Sequence, residues 1–136
     1  MQVKIDDIEM AIEFASYSMS DSEAYINIET GDIHYVGDFV DEPIPSDIFE
    51  NKKYVCIPRK ADLGLGKRVA LDFVAKNIPS KIDLTYDIFS RKGAYSKFKS
   101  LLASMEQLDN WFEHEQAALR SAALDWCRDN GIDVIY

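Results

Sequence analysis

Arg91, Lys92, Lys97 and Lys99 form the densest cationic group in this 136-residue chain, with Gly93 and Tyr95 between them. The pattern predicts a helix starting near Gly93. Unpaired backbone N–H groups at a helix start attract anions, and a glycine there lets a phosphate come close. A tyrosine ring gives a base something to stack on. Arg91, Lys92, Gly93, Tyr95, Lys97 and Lys99 are therefore the candidate residues for binding an anion or nucleic acid. Cations at a helix start oppose its dipole, so Arg91 and Lys92 are not explained by helix stability. The preferred alternative is a solvated face, or one paired with the acidic N-terminal third.

Glu115 is the other singular residue. On a helical wheel it falls between Trp111, Leu119 and Ala122, inside an apolar stripe. A carboxylate buried there needs a cation or hydrogen-bond donors, or it holds its proton more tightly. It is the candidate buried functional acid. The preferred structural readings are an ion pair with Lys97 or Arg91, or a stripe only half buried at that point.

Other signals are weaker. His34 lies near Asp32 and Asp38, but metal sites announce themselves by paired ligands, and no metal is expected. The Leu63-Gly64-Leu65-Gly66-Lys67-Arg68 run looks like a phosphate loop without its spacing or its preceding strand. HExxH, GxSxG, paired CxxC and EF-hand patterns are absent. No catalytic residue is assigned and no cofactor is expected. Cys56 and Cys127 read as reduced core thiols.

The elements that must position these residues follow from periodicity. Ile5, Ile8, Ile12 and Ala15 predict a helix over 5–17. Tyr25–Ile28 and Ile33–Val36, joined by Glu29-Thr30-Gly31-Asp32, predict a β-hairpin in which Gly31 takes the left-handed conformation. Ser18–Ser22 is a polar break. Residues 37–51, with Pro43 and Pro45, read as a loop with a helical turn near 46–49. Residues 53–57 predict a third strand. Helices are predicted over 62–77, 80–89, 93–105 and 108–130, the last stopped by Asn130-Gly131. Residues 132–135 read as a short strand or a tail.

Composition bounds the class. One domain of α+β structure is expected over 1–136: a helix and β-meander over 1–58, then a helical part over 59–136. The small antiparallel sheet, a hairpin plus one or two short strands, would pack with four to five helices. No run approaches the roughly 20 apolar residues of a membrane span, and Met1–Met10 does not read as a secretory signal. A cytoplasmic protein is expected. The net charge of −9 and pI of about 4.6 disfavour nucleic acid and anionic membranes as partners of the whole chain. Charge is segregated, however. Residues 1–51 carry one Lys/Arg against thirteen Asp/Glu, residues 52–99 twelve against four, and residues 100–136 two against seven. Mutual neutralisation on folding is the preferred reading, and a basic binding face the sharper one.

Tyr25-Ile26-Asn27-Ile28-Glu29-Thr30-Gly31-Asp32-Ile33, Asp72-Phe73-Val74, Gly93-Ala94-Tyr95-Ser96-Lys97-Phe98-Lys99 and the stretch from Trp111 through Trp126 to Asn130-Gly131-Ile132 together resemble the bacterial Uncharacterised Protein Family 0158. The resemblance spans nearly the whole chain. It implies a small cytosolic bacterial protein and supplies no activity, cofactor or catalytic residue. Asn27 stands where that pattern has an Asp, and His114 and Glu115 where it has an aromatic residue and an Arg. The resulting expectation is a non-enzymatic interaction protein with an unidentified protein partner, self-association remaining open. The alternative is a phosphate- or nucleic-acid-binding module using the basic helix start. No membrane partner is expected.

Overall fold

Ile5, Ile8, Ala11, Ile12 and Ala15 recur at helical spacing, and the first helix buries all five. The computed structural model describes residues 1–17, 21–37 and 40–136. Asp38 and residues 18–20 of the polar break lie outside the described residues. The elements are β1 (Val3–Lys4), α1 (Ile5–Ala15), β2 (Glu23–Asn27), β3 (Ile33–Val36), β4 (Tyr54–Cys56), α2 (Lys67–Asn77), α3 (Ile82–Phe89), α4 (Ala94–Ser104), α5 (Leu108–Asp129) and β5 (Val134–Ile135), with a 3₁₀ turn at Pro79–Lys81. This is the α+β fold expected from the sequence. No helix among the described residues is long and apolar enough to cross a membrane.

The chain divides into two compact units. The first comprises 1–63 and 120–136, the second 64–119. In the first, β2 pairs antiparallel with β3 on one side and with β4 on the other. The order β3-β2-β4 corrects the expected meander, in which β4 would have joined β3. Alternation along β2 explains its central place: Ala24 and Ile26 are wholly buried, and α1 covers that face. The long connection over 37–53 lets the chain return on the far side of β2. It carries the expected turn, with Ile48 buried beneath it.

Asn27 closes the hairpin turn. Its Oδ1 accepts from the N–H groups of Glu29 at 2.9 Å and Thr30 at 3.3 Å. An Asp at this position would accept the same bonds and leave the turn intact. Gly31 has φ of +86°, as expected. β1 was not expected; it pairs in parallel with β5 through Val3↔Val134 and Lys4↔Ile135.

The second unit is helical. Phe73, Phe98, Leu102 and Trp111 are buried at its centre, together with Val69, Ala70, Val74 and Ile78. Phe98 stands edge-on to Trp111 at 5.0 Å, and Phe73 edge-on to Trp111 at 5.5 Å. The helix expected to start at Asp62 starts at Lys67. The cause is local: Asp62 Oδ2 accepts the Arg59 N–H at 3.0 Å, and Gly64 lies at φ +70°. α5 ends in a C-capping motif at Gly131, where the Ile132 N–H reaches Cys127 O at 2.8 Å and the Gly131 N–H reaches Arg128 O at 3.2 Å.

Candidate functional site

The cationic candidates occupy the turn between α3 and α4 and the first turns of α4. Gly93 takes the N-cap position at φ +71°, and Arg91, Lys92, Gly93, Tyr95, Lys97 and Lys99 are all exposed. Arg91 and Lys92 also follow the C-terminal end of α3 directly. There the Arg91 N–H donates to Ile88 O at 3.3 Å, and the Arg91 guanidinium pairs with Asp87 at 3.3 Å. Cations suit a helix C-terminus, so the position is favourable for α3, which the sequence argument overlooked. Lys99 Nζ lies 5.9 Å from the centre of the Phe112 ring. Tyr95 packs edge-on against Phe89 at 5.4 Å. Burial and, second, the charge of Glu115 raise the Tyr95 hydroxyl above its ordinary pKa.

Glu115 is half-buried, with no ion pair to Lys97, Arg91 or any other described residue. His114 is absorbed into the aromatic core, 5.3 Å from Phe73 and stacked 6.1 Å from Trp111. The helical unit carries eight Lys/Arg against seven Asp/Glu, a net of +1. In the unit's net charge the basic run is offset by acids, and within the run Arg91 is paired with Asp87.

The α+β unit carries seven Lys/Arg against seventeen Asp/Glu, a net of −10. The sheet face opposite α1 presents Glu23, Tyr25, His34, Tyr54 and Cys56. Register places Tyr25 directly between His34 on β3 and Cys56 on β4. The His34 and Tyr54 rings meet edge-on at 5.8 Å, and Tyr25 meets Phe49 edge-on at 5.5 Å. Phe49 is 63% exposed. The Tyr25 hydroxyl donates to Glu23 Oε2 at 2.5 Å, and burial together with this bond raises its pKa well above the ordinary value. Cys56 is exposed on this face, which corrects the expectation of a core thiol: β4 is an edge strand and Cys56 lies on its outer side. Burial of its sulfur and the charge of Glu23 raise the thiol's pKa, so it is held protonated rather than as a nucleophilic thiolate. Among the described residues, no three His, Cys, Asp or Glu side chains are grouped to hold a metal ion.

Sequence reading missed this face because its residues are contiguous only through the strand register. The signal available was the alternation Glu23, Tyr25 against Ala24, Ile26. It also missed Glu9, which is 5% exposed on α1 and hydrogen-bonded to Arg120.

A family model described as an uncharacterised protein family, UPF0158, matches residues 4–136. No curated protein and no solved structure matches the chain.

Proposed function

The chain belongs to the uncharacterised protein family UPF0158, and from that premise we propose a non-enzymatic interaction protein whose acidic α+β unit holds a cationic segment of a partner protein against its open sheet face. One observation carries the reading. The half-buried rings of Tyr25, His34 and Tyr54 and the exposed ring of Phe49 form an aromatic surface on a unit of net charge −10. Aromatic side chains anchor protein interfaces, and opposite charge steers the partner to them. The proposed setting is the bacterial cytoplasm, which suits the two unpaired thiols.

The test is capture from a bacterial lysate with the full chain as bait, with and without nuclease, at low and high salt. The expected result is a basic protein retained after nuclease treatment and lost with Tyr54→Ser/Phe49→Ser. Anion or nucleic-acid binding at the α3–α4 turn is the second reading. Exposed Lys92 and Lys97, without an ion pair among the described residues and beside an unobstructed Gly93, favour it. Recovery of nucleic acid that Lys97→Glu/Lys99→Glu abolishes would establish that reading and overturn the first.

A further inference from the structure

At the C-terminal end of α1 the α+β unit has a cleft of about 560 Å³. Met10, Phe14, Tyr17 and Val40 supply its apolar walls, and Gly37 lies in its lining. Met10 and Tyr17 are 62% and 60% exposed, so the apolar surface is open to solvent. Phe14 is fixed by edge-on contact with Tyr35 at 4.9 Å. The volume is in the range that holds a large apolar group.

The surroundings are acidic. Glu13 lines the cleft and is paired with Lys60 at 2.8 Å. Exposed Asp21 adjoins the lining residue Ser22, and exposed Asp41 and Glu42 follow Val40. The charges of Asp7 and Glu42 both act on the Tyr35 hydroxyl, behind Phe14. An anionic amphiphile would meet repulsion at this rim, whereas a cationic one would be drawn to it.

We infer that this cleft receives a bulky apolar side chain carried on a lysine- or arginine-rich segment of a partner protein. The inference rests on the interaction reading above and gives it a second anchoring point. The apolar side chain supplies buried area, and the flanking cations meet Asp21, Asp41 and Glu42. Gly37 offers a direct way to block the cleft. A Cβ there would meet Phe14 and Ser22 at 3.7 Å, ordinary contact, and its φ is not in the left-handed region. Gly37→Leu would therefore fill the cleft from its own wall.

The experiment is fluorescence anisotropy of three labelled peptides with the full chain. One is lysine-rich with a single Trp, one has that Trp replaced by Ala, and one is glutamate-rich with the Trp. The lysine-rich Trp peptide is expected to bind about tenfold or more tighter than its Ala counterpart. Its binding should weaken as salt rises. Gly37→Leu should remove the Trp advantage. Met10→Ser/Tyr17→Ser, which alters only exposed positions, should do the same and serves if Gly37→Leu folds poorly by circular dichroism. Equal binding of the Trp and Ala peptides, or a Trp advantage that survives both variants, overturns the cleft and leaves the interaction reading standing. Equal binding of the glutamate-rich peptide overturns the charge argument and with it the inference. Absence of binding by either lysine-rich peptide overturns both the cleft and the interaction reading.

Discussion

Oε1 of Glu9 accepts two hydrogen bonds from one guanidinium, 3.1 Å from Nε and 2.7 Å from Nη2 of Arg120. The same Nη2 lies 2.6 Å from Asp6 Oδ1. The Glu9 side chain is 6% exposed and that of Arg120 45%. The arginine thus reaches in from the surface to compensate a buried carboxylate, joining α1 to the last turns of α5. Removing the arginine takes two charge-assisted hydrogen bonds from a buried carboxylate, which is more costly than losing an exposed pair. Arg120→Ala is expected to lower the urea midpoint clearly, while Arg91→Ala, which breaks the exposed pair with Asp87, leaves it nearly unchanged. Adding Glu9→Leu to Arg120→Ala should recover part of the loss, because the buried charge goes with it. Urea unfolding of these three variants beside the wild type measures this directly.

Phe98 is fully buried between Trp111 at 5.0 Å and Phe89 at 5.4 Å. Truncating it removes transfer energy and leaves a cavity among rings that cannot all collapse. Phe98→Ala is expected to cost about 3–5 kcal/mol. Tyr95→Ala, at a position 42% exposed on the same helix, should cost much less. Denaturation followed by Trp fluorescence separates the two.

How far the sequence speaks for this fold differs from element to element. The hairpin around Gly31, the C-cap at Gly131 and the helices α4 and α5 were legible because their signals are local: a left-handed glycine, a helix stop, a stripe at 3.6-residue spacing. β1 and β5 were not foreseen as a pair, since two-residue strands depend on a partner from the other end of the chain. The position of β4 beside β2 was not legible either, because strand order is set by tertiary packing. Among the carboxylates placed in an apolar stripe, Glu9 is buried and Glu115 only half so. Glu9 shares α1's apolar stripe with Ile5, Ile8 and Ile12, and it is the carboxylate that is buried with an arginine. Glu115 lies near the exposed Tyr95, so its stripe is only half covered.

Gly31 combines a left-handed φ of +86° with close packing. A Cβ there would stand 3.2 Å from both Met1 Cγ and Val3 Cγ2. Gly31→Ala is expected to destabilise the protein by on the order of 1–2 kcal/mol from the backbone alone, and further by pressing on β1. The reverse case is Glu106, the non-glycine residue at φ +57° after α4. Its N–H bonds Ala103 O at 3.2 Å, and the Gln107 N–H bonds Leu102 O at 2.8 Å, the helix-capping pattern that favours glycine. Glu106→Gly should raise stability by up to about 1 kcal/mol. Thermal melts of the two single variants should move in opposite directions.

The two thiols should titrate and react differently. Cys127 is wholly buried on α5, and burial pushes its pKa up to about 11. Cys56 is exposed but raised by burial of its sulfur and by the charge of Glu23, partly offset by the neighbouring Tyr25 hydroxyl and the Arg59 charge. Because the thiolate is the reactive form, an aromatic disulfide reagent should label Cys56 in the native protein more slowly than a free thiol, and Cys127 only after unfolding. Glu23→Gln should speed Cys56 labelling at a fixed pH. The raised value of Cys127 also sets a sign for stability. The folded state retains a proton that the unfolded state releases, so the stabilisation is complete below the ordinary thiol pKa of about 8.5 and is lost as pH climbs to about 11. The part of the alkaline decline owed to this group is on the order of 3 kcal/mol. Urea midpoints of wild type and Cys127→Ala across that window should converge as pH rises. Parallel curves would show that Cys127 does not carry the linkage.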